Sequence, residues 1–140
     1  MINWTYKEKE VLSHDDLPDN CTDFVYELKF DDETKYIGKK TVRAMRRLQP
    51  TKAQLAIRKN YKRVELKDLP FAKYVGSSDE NNDKVLVSKT ILYLSSNKKT
   101  ASYIETALLF GNDVLFTDEY TNKNISGTYF DNSLDGLIED

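Results

Sequence analysis

Residues 23–30 alternate strictly, with Phe24, Tyr26, Leu28 and Phe30 on one side and Val25, Glu27 and Lys29 on the other. A period of two is the mark of a half-buried strand. Asp31-Asp32-Glu33 breaks the pattern with turn chemistry, and residues 35–40 read as the returning strand of a hairpin. The hairpin places Tyr26 and Tyr36 on neighbouring strands, close enough for both hydroxyls to face one ligand. Everything else must be arranged around it.

Residues 41–48 suit a short helix that Pro50 stops, and Thr51 is a plausible N-cap for a second helix running to about residue 63, with Leu55 and Ile57 inward. Residues 68–70 break the chain again, and Gly76-Ser77-Ser78 with Asn81-Asn82-Asp83 form a loop. Residues 85–94 are rich in β-branched and aliphatic side chains and make the third strand. Residues 100–110 have helical periodicity, ended by Gly111-Asn112. Residues 1–21 read as a polar, acidic, extended lead-in, with Trp4 and Tyr6 against the core. The expected fold is α+β: a small three-stranded antiparallel sheet flanked by helices. Its bounds are 22–130, with an acidic tail at 131–140.

At 140 residues, 39% hydrophobic and 31% charged, the chain suits one soluble domain. No stretch is apolar enough to span a bilayer or to form a signal-peptide core, so the expected location is cytoplasmic, in a host cell if the chain is phage-encoded. The single cysteine, Cys21, cannot form an internal disulfide, and no Cys/His cluster suggests zinc. The net charge of −2 argues against a nucleic-acid partner until its distribution is examined. Residues 39–73 hold twelve Lys/Arg against two acids, a net of about +10, so the remainder carries about −12. A phosphate backbone senses such a stripe rather than the total. The residues most suited to contact it are Lys39, Lys40, Arg43, Arg47, Arg58 and Lys62.

Glu105 is anomalous on its own helix. Ala101, Ile104 and Leu108 form an apolar stripe, and Glu105 falls within it. A carboxylate there is costly unless it is paired or binds a cation. It could serve Mg²⁺, which often takes one or two protein carboxylates and fills its shell with water and phosphate; it could equally bridge to the basic stripe. A phenol with a pKa of about 10 is a poor base near neutrality unless cations stabilise the phenolate. Lys39, Lys40 and Arg46 could supply that charge. His14, the only histidine, lies in the acidic lead-in and reads as non-catalytic.

The ordered set Phe24-Val25-Tyr26, Tyr36-Ile37-Gly38, Arg46, Glu105 and Asn122, with Tyr74-Val75-Gly76-Ser77-Ser78 between, resembles the GIY-YIG nuclease family over roughly residues 22 to 130. The likeness is greatest to its phage-type stand-alone homing endonuclease branch. The resemblance implies Tyr26, Tyr36, Arg46 and Glu105 as catalytic, with Arg46 on a helix after YIG. It also implies Glu105 as ligand of Mg²⁺ or Mn²⁺, Asn122 beside the site, and DNA, in duplex form, as substrate. FVY stands where the family has GIY, though the tyrosine survives. No histidine is available near the site, a place Tyr61 or a lysine could take. From Asp113 onward there are seven acids and one lysine, a poor surface for DNA. Two other readings compete with an endonuclease. One is a catalytically silent nucleic-acid- or protein-binding module; the other is a phage accessory protein whose acidic tail grips a basic partner.

Overall fold

Strand β3 (Asp23–Phe30) is an interior strand of the sheet, with both of its edges paired. On one side β4 (Lys35–Thr41) runs antiparallel, with Tyr26 opposite Gly38 and Leu28 opposite Tyr36. On the other, β7 (Leu86–Ser95) runs antiparallel with register shifts beside Tyr26 and Phe30. The computed structural model describes residues 2–75, 81, 83–134, 136 and 138, so Gly76-Ser77-Ser78, Asn82 and part of the acidic tail lie outside the described residues.

The three expected strands are present, but the sheet has five. β1 (Trp4–Tyr6) and β2 (Lys9–Val11) form a hairpin, and β1 docks parallel to β7, giving the order β2-β1-β7-β3-β4. The lead-in is therefore part of a mixed sheet. Trp4 is fully buried against Phe24 and Tyr26, at ring separations of 4.9 and 5.1 Å, and its indole N–H donates to the Phe71 carbonyl at 2.9 Å.

Residues 43–48 are not helical. They form β5 (Arg43–Leu48), paired antiparallel with β6 (Arg63–Asp68) in a separate two-stranded ribbon. The cause lies at the root. The amides of Val42 and Arg43 both donate to the Thr22 carbonyl, at 2.7 and 3.1 Å, and Leu69 N–H donates to the Val42 carbonyl at 2.9 Å. Thr41, which would have to begin a helix, gives its hydroxyl to the buried Asp23 carboxylate at 2.6 Å. The second helix exists but is short. α1 (Lys52–Ile57) starts at Thr51 through a reciprocal Thr51–Gln54 capping box. Leu55 and Ile57 are exposed rather than inward, because α1 tops the ribbon and not the sheet.

Helix α2 (Lys98–Gly111) begins at the Asn97 cap and ends at Asn112. Its buried residues Ala101 and Leu109 pack on Val25 and Ile37, one face of the sheet. A small ribbon of β8 (Asn124–Ile125) and β9 (Tyr129–Phe130) follows, with Ile125 in the same cluster. The opposite face carries the aromatic cluster of Trp4, Phe24, Tyr26, Leu28 and Phe71. No helix among the described residues is long and apolar enough to cross a membrane.

If the N-terminal hairpin is integral, Trp4→Ala should destabilise the protein by about 3–5 kcal/mol in denaturant unfolding. A loss below about 1 kcal/mol would make the hairpin a dispensable appendage.

Candidate active site

Tyr26 points from β3 beneath β4 and meets Gly38. A Cβ on residue 38 would lie 2.5 Å from the Tyr26 hydroxyl and 2.6 Å from its Cζ, so the glycine is required by the close approach of the phenol. The ring of Tyr26 is buried among Trp4, Tyr74 and Tyr36, the last two at 6.1 and 6.4 Å. Burial pushes the phenol's pKa far up, and the neighbouring phenols of Tyr74 and Tyr36, a hydrogen bond with Tyr74 and the Glu105 charge push it the same way. Tyr26 therefore holds its proton at any ordinary pH. It is a hydrogen-bonding group and not a phenolate.

Tyr74 is a site residue that the sequence shows only as the first member of the Tyr74-Val75-Gly76-Ser77-Ser78 segment, with no place of its own in the site. Three contacts bring it to Tyr26. Its amide donates to the Phe71 carbonyl at 2.9 Å, which Trp4 also holds. The buried Lys89 ammonium donates to the Ala72 and Tyr74 carbonyls at 2.9 and 2.8 Å. The Lys40 ammonium lies 4.4 Å from the centre of the Tyr74 ring. The signal available was the neighbouring Gly76-Ser77-Ser78.

β4 is an edge strand, and residues 119–122 cover part of that edge. Lys35 N–H donates to the Glu119 carbonyl at 2.8 Å, and Thr121 N–H donates to the Lys35 carbonyl at 2.7 Å. Asn122 then clasps Ile37, its Oδ1 accepting from the Ile37 amide at 3.1 Å and its Nδ2 donating to the Ile37 carbonyl at 2.9 Å. Both functions of the amide are engaged, so Asn122 acts here as a backbone clamp. Beside it is a polar pocket of about 130 Å³ lined by Tyr36, Ile37, Glu105, Asn122 and Asn124, among others.

Glu105 approaches this pocket from α2, on the face opposite the Tyr26 cluster. The two faces meet because β4 is the edge, and Tyr36 lines the pocket that Glu105 lines. Burial raises the Glu105 pKa, and the Lys39 charge offsets part of that rise. Lys39 also donates to the Ser102 hydroxyl, one turn before Glu105. Among the described residues no three His, Cys, Asp or Glu side chains cluster as a metal cage. A lone carboxylate with amide and hydroxyl neighbours does fit Mg²⁺ or Mn²⁺ held largely by water and phosphate.

The arginines are placed differently. Arg43 is buried at the ribbon root, donating to the carbonyls of Pro18, Cys21 and His14 at 2.5, 3.1 and 2.9 Å and to Asp68 at 3.2 Å. Its donors are committed to protein. Arg46 lies on exposed β5, ion-paired with Glu65. Arg47, Arg58 and Lys62 are exposed on β5 and the β5–β6 connection. His14 is structural: its Nε2 is 2.9 Å from the carbonyls of both Val42 and Leu69.

The family model described as "Putative endonuclease segE, GIY-YIG domain" matches residues 4–131. The chain belongs to the GIY-YIG nuclease family. The match begins at Trp4, the first residue of β1, and ends just after β9. It falls on the homing-endonuclease branch that the Tyr-x-Gly-Ser-Ser segment indicated. No curated protein and no solved structure matches the chain.

In this GIY-YIG domain Gly38→Ala should force the Tyr26 ring against Trp4 and Tyr74. We expect a lower melting temperature, equivalent to about 1–3 kcal/mol, as for overpacking. A variant melting with wild type would show that the phenol has room to move.

Proposed function

We propose that this endonuclease hydrolyses phosphodiester bonds of duplex DNA, using a divalent ion anchored at Glu105. The observation that carries the reading is the half-buried Glu105 carboxylate sharing a polar pocket with Tyr36 at the β4 edge, next to Lys39 and opposite the Tyr26 phenol.

The roles divide by environment. Tyr26 keeps its proton and donates a hydrogen bond. Tyr36, which lines the pocket, acts as the phenolate, which the Lys39 and Lys40 ammonium groups stabilise; it takes the proton of the attacking water and becomes the neutral phenol. Asn122 fixes Ile37, and with it the direction of Tyr36. Arg46 exchanges Glu65 for the scissile phosphate when DNA binds, and neutralises charge developing there. A bound Mg²⁺ or Mn²⁺ would polarise the phosphate and stabilise the leaving oxygen. Lys39, Lys40, Arg47, Arg58 and Lys62 contact the backbone, while Arg43 sets the ribbon that carries three of them.

The Arg46–Glu65 ion pair favours a second reading, a silent domain that grips nucleic acid without cutting it. Incubation with supercoiled plasmid and Mg²⁺, Mn²⁺ or EDTA separates the two. Metal-dependent relaxation supports the nuclease; binding without relaxation in either metal supports the silent domain.

Glu105→Ala should lower plasmid cleavage at least about a hundredfold, as loss of a group that stabilises transition-state charge does. Its stability should move the other way. The folded-state pKa of Glu105 is raised, so the protonated form contributes stability that is full below the unfolded pKa and is lost as pH rises through the folded one. At neutral pH the ionised carboxylate costs stability. The variant should therefore melt at or above wild type at about pH 7, with the gap closing toward about pH 4. Cleavage at the wild-type rate, or an unfolded variant, would refute the metal-ligand role.

A further inference from the structure

We infer that the β5–β6 ribbon is a DNA-reading arm that lies in the major groove, with the Met45–Leu66 pair against base edges. This rests on the nuclease reading and deepens it, because it names the element and the groove.

The ribbon pairs only with itself and forms its own sheet. Six residues per strand, at about 3.3 Å each, make an arm of roughly 20 Å. Its root is fixed by Arg43 and by the Val42 and Leu69 backbone bonds, so it projects from a rigid base. Directly paired residues share a face. Met45 with Leu66 and Arg47 with Val64 make one face; Arg46 with Glu65 and Leu48 with Arg63 make the other. The first face carries an apolar patch open to solvent beside the exposed Arg47, with Met45 70% exposed, Val64 50% and Leu66 40%. A two-stranded ribbon with a bare apolar patch is marginal in water and invites a partner.

The arm's charge selects that partner. Residues 43–68 hold nine Lys/Arg against two acids. The acids are used by Arg43 and Arg46, so among the described residues the other seven cations have no ion-pair partner. Two copies of such an arm would repel each other, whereas a polyanion matches it. The major groove is about 12 Å wide and admits a two-stranded ribbon. Methionine and leucine there suit the apolar thymine methyl, while the cations of the α1 end and of β6 reach the phosphates.

The test is fluorescence anisotropy of the full chain on a 30-base-pair duplex in EDTA, so that cleavage plays no part. Met45→Thr/Leu66→Thr keeps β-branched strand formers and removes the apolar pair. We expect at least about tenfold weaker binding with unchanged circular dichroism and melting. Methyl green, a major-groove ligand, should displace wild type, and the minor-groove ligand netropsin should not. Wild-type affinity in the variant, or displacement by netropsin alone, overturns the arm. Loss of self-association in sedimentation with unchanged DNA affinity assigns the face to a second copy and also overturns it. Plasmid cleavage in Mg²⁺, run in parallel, keeps the two claims apart. Cutting with undiminished variant binding refutes the arm only, and arm-dependent binding in a chain that never cuts refutes the nuclease only.

Discussion

Tyr26 reaches the β4 edge only because residue 38 has no side chain. The phenol is walled by Trp4 and Tyr74 and has one open direction, beneath the neighbouring strand. Any Cβ at residue 38 closes it. The rest of the site follows from this passage. The hydroxyl comes to lie where the two faces of the sheet converge, near enough for the Glu105 charge on the far face to be felt by the phenol. A glycine is thus the point at which two otherwise separate hydrophobic clusters share one chemistry.

Where one face of an element is buried and the other wet, its pattern was legible. Strands β3, β4 and β7 and helix α2 follow from alternation or helical spacing within two residues at each end. β5 did not follow, because residues 41–48 carry three arginines, two of them four apart, and no β-branched residue after Val42. Its state is dictated from outside, by the Thr22 carbonyl and by β6 some twenty residues on. The N-terminal hairpin was hidden for a different reason. Its turn places Lys7 and Glu8 at φ of 49 and 70°, a geometry usually announced by Asn-Gly, which this sequence lacks.

The candidate site was legible in part. Tyr26, Tyr36 and Glu105 were nominated by their order along the chain, and the fold brings Tyr36 and Glu105 to one pocket with Tyr26 alongside. Arg46 was nominated as a helical residue and stands on a strand. Tyr74 was visible only through its Tyr-x-Gly-Ser-Ser segment, and Lys89 was not foreseeable. A lysine in the middle of a strand reads as a solvent-facing residue, yet Lys89 is 1% exposed, lies 4.5 Å from the centre of the Trp4 ring and holds the backbone that presents Tyr74. Its partners are carbonyls, which leave no trace in side-chain composition.

The parallel pairing of β1 with β7 carries a consequence in time. Parallel neighbours cannot be joined by a tight turn, and here Trp4 lies opposite Lys89. On the ribosome the N-terminal hairpin emerges first, but it has no sheet to join until the strand ending at Ser95 has been made. Glu105 and the Asn122 clamp emerge later still, and the pocket they line extends to Ser126. A nascent chain therefore displays its basic ribbon well before it possesses the Glu105 pocket. Synthesis itself delays that pocket until nearly all of the matched domain has been translated.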